Sequence, residues 1–178
     1  MLKKNTRFIT QAALIGALYT AVNLVMVLTP LGQLAFGPIQ LRVSEALTVL
    51  PLLTPAAIPG LFVGCVLSNL LGMAFGLGGG VWDVVFGSIA TLLAAIVTYR
   101  MRNYKWLAML APVVFNALIV GVVLYYTFMN TESAASLWMM MATVGAGQAI
   151  VCYALGMPLY MLLSKVMFGR VFERSGNN

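Results

Sequence analysis

Residues 40–55 read Gln-Leu-Arg-Val-Ser-Glu-Ala-Leu-Thr-Val-Leu-Pro-Leu-Leu-Thr-Pro, with Arg42 and Glu45 at the head of an apolar run that ends in prolines. The surrounding chain is 62% hydrophobic and only 8% charged, with a mean hydropathy of +0.99. A soluble domain needs a far more polar surface, so the chain reads as an integral membrane protein. In such a chain two adjacent charges entering an apolar run call for a structural or functional partner.

Five long apolar segments, at roughly 8–28, 56–75, 81–99, 106–128 and 135–168, are each near or above the ~20 residues that a spanning helix needs. Five crossings would put the ends on opposite sides. Yet Lys3, Lys4 and Arg7 make one end basic, and Lys165, Arg170 and Arg174 the other. The positive-inside rule asks for both ends in the cytoplasm, together with Arg100, Arg102 and Lys105. These demands agree if residues 43–53 cross as a short element, second of six. Pro51, Pro55 and Pro59 account for its brevity, because each removes a backbone donor and perturbs the helix around it. Broken backbone is tolerated at membrane depth only beside protein or a water-filled cavity, so a cavity is expected next to it. The expected fold is an all-α integral membrane protein of the cell membrane, one domain over residues 1–178. It is a bundle of six transmembrane helices with a short broken second helix and both termini cytoplasmic. The loops at 29–41, 75–80 and 129–133 would then face outward. The first apolar run is long enough to span, so it reads as a retained helix rather than a signal peptide. No internal repeat is apparent.

Several chemistries have no foothold here. The chain has no histidine, and Cys65 and Cys152 sit in apolar segments without metal-ligand neighbours, so no metal site is expected. Neither a nucleophile beside a base nor closely spaced paired carboxylates occur, which disfavours an intramembrane enzyme, and no catalytic residue is assigned. The glycine loop at 75–80 lacks the Gly-Lys-Ser or Gly-Lys-Thr ending of a phosphate loop. The basic residues fall in short clusters between spans, a topology signal rather than a nucleic-acid face.

Polar residues inside the apolar segments are few: Asn23, Arg42, Glu45, Asn69, Asp83, Asn116 and Gln148. A central charge costs about 2.5 to 3.5 kcal/mol on insertion scales, so each needs a partner or a cavity. In the expected topology Arg42, Glu45, Asn69 and Asp83 lie toward the outer half, around an outward-facing polar pocket, with Asn116 and Gln148 as its floor. Arg42 and Glu45 are spaced to form a structural ion pair or to meet a ligand. Asp83 is either a helix-start charge favoured by the dipole or a carboxylate that accepts ligand N–H groups. Trp82 beside it is either an interfacial anchor or a plane for stacking a flat heterocycle. Asn69, Asn116 and Gln148 serve as interhelical glue or as ligand contacts. Ala13, Ala17 and Ala21 share one face of the first helix, as Gly60, Gly64, Ser68 and Gly72 do in the third. Such stripes either pack the bundle or dock a partner.

Together these residues resemble a known family. The Ala13-Leu-Ile-Gly-Ala17 helix, the short second span, the basic ends and the outward polar pocket look like a substrate-binding S component of an energy-coupling factor (ECF) transporter. The block at 40–46, Thr54-Pro-Ala-Ala-Ile-Pro-Gly60, Ser68-Asn69 and Val81-Trp-Asp83 are similar to its queuosine-precursor subfamily, QueT. The resemblance implies a subunit that captures a queuosine precursor, a deazaguanine base, outside the cell. It would dock through Ala13, Ala17 and Ala21 onto a transmembrane T component driven by two ATPase subunits. No cofactor is implied for this chain, since the partner subunits use the ATP. The substrate-binding candidates are Arg42, Glu45, Asn69, Trp82, Asp83, Asn116 and Gln148. An S component for a different vitamin, or a stand-alone small membrane transporter, are the alternatives.

Overall fold

The computed structural model of the chain describes residues 2–37, 39–128 and 136–175, with side chains placed between Asn5 and Val166. Among the described residues it is all helical. That follows from the composition, because in lipid each backbone donor and acceptor must be met within its own segment. The order is α1 (Leu2–Val27), a short α2 (Gly32–Phe36), a 3-10 helix (Val43–Leu52) and α3 (Ala57–Ala74). Then come α4 (Asp83–Arg100), α5 (Lys105–Thr127) and α6 (Leu137–Val166), whose backbone stays helical to Ser175. Five of these helices are long and apolar enough to cross a membrane, which makes the chain a multi-pass membrane protein. They fall where the hydropathy of the sequence places them. The expected turn at 129–133, and the side chains of Lys3, Lys4, Arg170 and Arg174, lie outside the described residues.

The expected broken helix over 43–53 is a 3-10 helix of 10 residues. At about 2.0 Å per residue it reaches roughly 20 Å, where an α-helix of that length would reach only ~15 Å. Runs of 3-10 helix beyond three or four residues are uncommon. Here Pro51 is accommodated inside the segment, and Ser44 through Pro51 are all buried among the other helices. Pro59 falls in the first turn of α3, where a missing N–H does no harm. The loop expected at 29–41 is not wholly irregular. Its α2 turn buries Ala35 and Phe36 against Met26 and Val27.

Packing sets the helix directions. Gly60 lies against Ala12 and Ile15, and Gly64 against Gly16 and Tyr19, so α1 and α3 run parallel. Their backbones approach closely, as small residues permit between membrane helices. A Cβ on Gly60 would stand 2.7 Å from the Ala12 carbonyl oxygen, and one on Gly64 2.9 Å from Tyr19 Cβ. Between two parallel helices the chain must return, and the 3-10 helix makes that return. The α4 helix runs back along α3, where Thr91 meets Cys65 and Asn69 meets Asp83. Next, α5 reverses again, with Thr98 near the end of α4 bonded to Ala108 near the start of α5. Gly121 and Gly145 place α6 antiparallel to α5, against Met141 and Ala117. The start of α1 and the end of α6 therefore share one end of the bundle.

Candidate functional site

The 3-10 helix lays Glu45 across the bundle, where the carboxylate is 2% exposed. Its Oε1 accepts a short hydrogen bond from the Tyr19 hydroxyl of α1, and its Oε2 accepts from Gln148 Nε2 of α6 at 3.0 Å. Gln148 also reaches Cys152 Sγ at 3.4 Å, and Thr48 Oγ1 lies 3.6 Å from that sulfur. Glu45 and Gln148 therefore come together, as does Tyr19, which sequence reasoning passed over. The signal for Tyr19 was its spacing: it is on the inward face of α1 with Gly16 and Asn23, whereas Ala13, Ala17 and Ala21 are on the exposed face.

Arg42 does not form the ion pair with Glu45 that their spacing allows. Its Nε donates to the Ala35 carbonyl at 3.0 Å and its guanidinium lies 4.3 Å from the centre of the Phe36 ring. The reason is the backbone. Arg42 is extended and precedes the 3-10 helix, so the two side chains do not share a helical face. Asn69 and Asp83 do come together: Asn69 Nδ2 donates to the Asp83 carbonyl oxygen at 2.8 Å and reaches Cys65 Sγ at 3.4 Å. The Asp83 carboxylate accepts the Gly79 N–H at 2.7 Å through Oδ2. That loop closes tightly because Gly76, Gly78 and Gly80 all take positive φ. Glycine occupies that region without the steric penalty of a Cβ.

Trp82 is placed elsewhere. It is 62% exposed and stacks on Phe86 at 5.9 Å. Both line an apolar groove of about 920 Å³ with Ile89, Leu118, Val122 and Tyr126. The aromatic ring beside the buried polar groups is Phe36 instead, whose edge lies against Gly72 and Gly78. Asn116 is buried, but its Nδ2 donates at 2.9 Å to Pro112 in its own helix.

Among the described residues, nine buried side-chain atoms have no hydrogen-bond partner: both amide atoms of Asn23, Gln40 Nε2, Arg42 Nη2, Asn69 Oδ1, Asp83 Oδ1 and the hydroxyls of Ser44, Ser68 and Ser88. Buried polar groups in native proteins are nearly always satisfied, and leaving one unmet costs about 1–3 kcal/mol. Water or a bound molecule can supply the partners that the described residues do not. Asn23 was visible as a polar outlier. That it would be fully buried with neither amide atom bonded was not.

The helices are also irregular beside these residues. Asp83–Gly87, Asn116–Val120 and Val151–Gly156 are π-helical, and each segment ends at or just before a glycine: Gly87, Gly121 and Gly156. π-segments interrupt α-helices mostly at functional sites, because the extra residue re-aims the side chains around it. Here they fall at Asp83, at Asn116 and one turn after Gln148. The glycines were the only sequence signal for them.

Among the described residues no cluster of three or more His, Cys, Asp or Glu side chains is placed to hold a metal ion. Glu45 and Asp83 present carboxylate acceptors, and the Asn23 amide an unbonded donor and acceptor.

A model of the QueT transporter family matches residues 9–165. The chain is also similar to the queuosine precursor transporter QueT of Lactococcus lactis subsp. cremoris (strain MG1363), 34% identical over 95 residues. That alignment covers 52% of this chain and 50% of the relative, so the chain matches about half the length of that protein. No solved structure matches.

Proposed function

The chain belongs to the QueT transporter family, and from that premise we propose that it is the substrate-binding subunit of an ECF-type importer for a queuosine precursor. The observation that carries the reading is the set of buried polar atoms without partners among the described residues, on α1, the 3-10 helix and the segment before it, α3 and α4. A planar deazaguanine base offers a ring N–H beside an exocyclic amino group, a pair of donors that a carboxylate accepts side by side. Glu45, held by Tyr19 and Gln148, keeps lone pairs for that edge. The Asn23 amide, with a donor and an acceptor, suits the rest of the ring, and the Phe36 ring borders the same cluster. In this reading the 3-10 helix is a sixth crossing, and the shared end of α1 and α6 is cytoplasmic, where Arg7, Arg100, Arg102, Lys105 and Lys165 lie exposed.

The same reading assigns the exposed alanine face of α1 to docking on a T component driven by two ATPase subunits. The opposite face, through Gly16, is already occupied by α3. Calorimetric titration of the purified, detergent-solubilised chain tests the substrate, with guanine, riboflavin and biotin as controls. Saturable binding of deazaguanine bases alone is expected. Binding of another vitamin in their place would overturn the substrate, and uptake into liposomes by this chain alone would overturn the subunit role.

A further inference from the structure

The turn that joins α4 to α5 carries three exposed cations close together in the chain, Arg100, Arg102 and Lys105. Both helices are long and apolar enough to cross a membrane, so the turn lies where the chain leaves the hydrocarbon and meets the headgroups. The turn is tight: the Tyr104 N–H donates to the Met101 carbonyl at 2.8 Å, and Thr98 Oγ1 donates to the Ala108 carbonyl at 3.2 Å. Among the described residues no carboxylate offsets these charges. The two described carboxylates, Glu45 and Asp83, are buried and take their hydrogen bonds from Tyr19, Gln148 and Gly79. Two of the cations rest on aromatic rings instead. The Arg102 guanidinium lies 5.1 Å from the centre of the Tyr99 ring, with Nη1 donating to its hydroxyl at 3.4 Å, and Lys105 Nζ lies 5.1 Å from the centre of the Tyr160 ring in α6. A ring face holds a cation in place and leaves its charge unneutralised.

The surface beside the cations is aromatic and then apolar. Tyr104 and Trp106 are exposed, and Trp106 stacks on Tyr153 of α6, whose hydroxyl donates to the Trp106 carbonyl at 2.9 Å. Such rings settle at the boundary between membrane and water. Deeper in the span, Leu107, Leu110 and Val114 are exposed on one face of α5. Leu93, two turns before Arg100, is exposed on the same side of α4 as that arginine. Charge and apolarity together narrow the occupant. A free anion matches the cations and has no use for the exposed leucines, and a neutral lipid has the reverse defect. We propose that this turn binds an anionic phospholipid, its phosphate on Arg100 and Arg102 and its acyl chains along Leu93, Leu107 and Leu110. Guanidinium groups suit the task because their planar fork meets two phosphate oxygens at once. The assignment holds whichever molecule fills the polar cluster elsewhere in the bundle.

The test uses Trp106, next to the turn, as a reporter. Trp82→Phe and Trp138→Phe leave it the only tryptophan of the full-length chain. The protein is reconstituted in phosphatidylcholine vesicles, and its fluorescence is quenched in separate titrations by brominated phosphatidylglycerol and by brominated phosphatidylcholine. The anionic lipid is expected to be preferred at least about fivefold, the scale of one cation beside an anionic headgroup. A companion protein that keeps only Trp138, at the opposite end of the bundle, should prefer it by less than about twofold. Replacing Arg100, Arg102 and Lys105 together by glutamine should bring the preference at Trp106 to within about twofold of unity. Arg102→Gln alone, a smaller change should the triple variant fail to fold, should at least halve it. Equal quenching of Trp106 by the two lipids overturns the lipid assignment and leaves the cations to an acidic protein partner. An equal preference at Trp138 means attraction to the whole protein and overturns the turn as the site. A preference that survives in the triple variant overturns these three cations as its cause.

Discussion

The α1–α3 pair is two different structures along its length. Toward the end shared with the start of α1, Gly16, Gly60 and Gly64 bring the backbones together, and Thr20 Oγ1 bonds the Gly16 and Gly64 carbonyls at 2.9 and 3.3 Å. Toward the other end, one turn beyond Tyr19 and Gly64, Asn23 and Ser68 are as deeply buried and carry polar atoms with no partner among the described residues. The helices and the spacing of small residues are the same. What changes is whether the chain supplies its own partners. The first region supplies its own hydrogen-bond partners, and in the proposed reading the second is completed by the substrate.

Substitutions can break that contrast. The largest effect belongs to Glu45→Ala, which removes a charged acceptor from Tyr19 and Gln148. Ligand affinity should fall by about 30-fold or more, read by calorimetry, and affinity close to that of the natural chain would remove Glu45 from the site. Gly64→Val should cost ~1–3 kcal/mol of stability through overpacking against Tyr19 and Gly16, seen as a lower thermal midpoint with or without ligand. An unchanged midpoint would mean that the close seam is not tight. A sharper comparison sets Thr20→Val against Asn23→Leu. The first removes a satisfied hydroxyl and should lose about 1 kcal/mol. The second removes unmet polar atoms, so the ligand-free protein should hold or gain stability while ligand affinity falls at least about tenfold. Equal destabilisation by both would dissolve the distinction between the two regions. The smallest effect on the chain itself is expected from Ala17→Trp on the exposed face of α1, within ~0.5 kcal/mol of the natural stability. In this account it retains ligand binding and loses co-purification with the T component, and normal co-purification would reassign that face.

Much of the architecture was legible in the sequence because lipid imposes one rule on it: long apolar runs become helices, and the charges mark their ends. The short element was legible from Pro51 and from the balance of basic residues. Its 3-10 form was not, since proline signals a break without specifying which helix replaces the regular one. Of the candidate site, Glu45 with Gln148 and Asn69 with Asp83 come together from positions far apart in the chain. Trp82 points elsewhere because adjacent residues on a helix diverge by about 100 degrees, so a neighbour of Asp83 cannot share its direction. Phe36 carried no signal, because aromatic side chains are ordinary in an apolar helix, and Tyr19 was marked only by its spacing from Gly16 and Asn23. The π-segments were hidden for another reason: an added residue in a turn leaves the hydropathy unchanged and shifts only the direction in which side chains point.

The most direct measurement is a structure of the protein with a deazaguanine bound. The base is expected among Asn23, Glu45, Asn69 and Asp83, with its donor edge on the Glu45 carboxylate and the unpartnered atoms of Asn23 bonded to it. A base seated instead in the apolar groove beside Trp82 and Phe86, with Asn23 still unbonded, would contradict it.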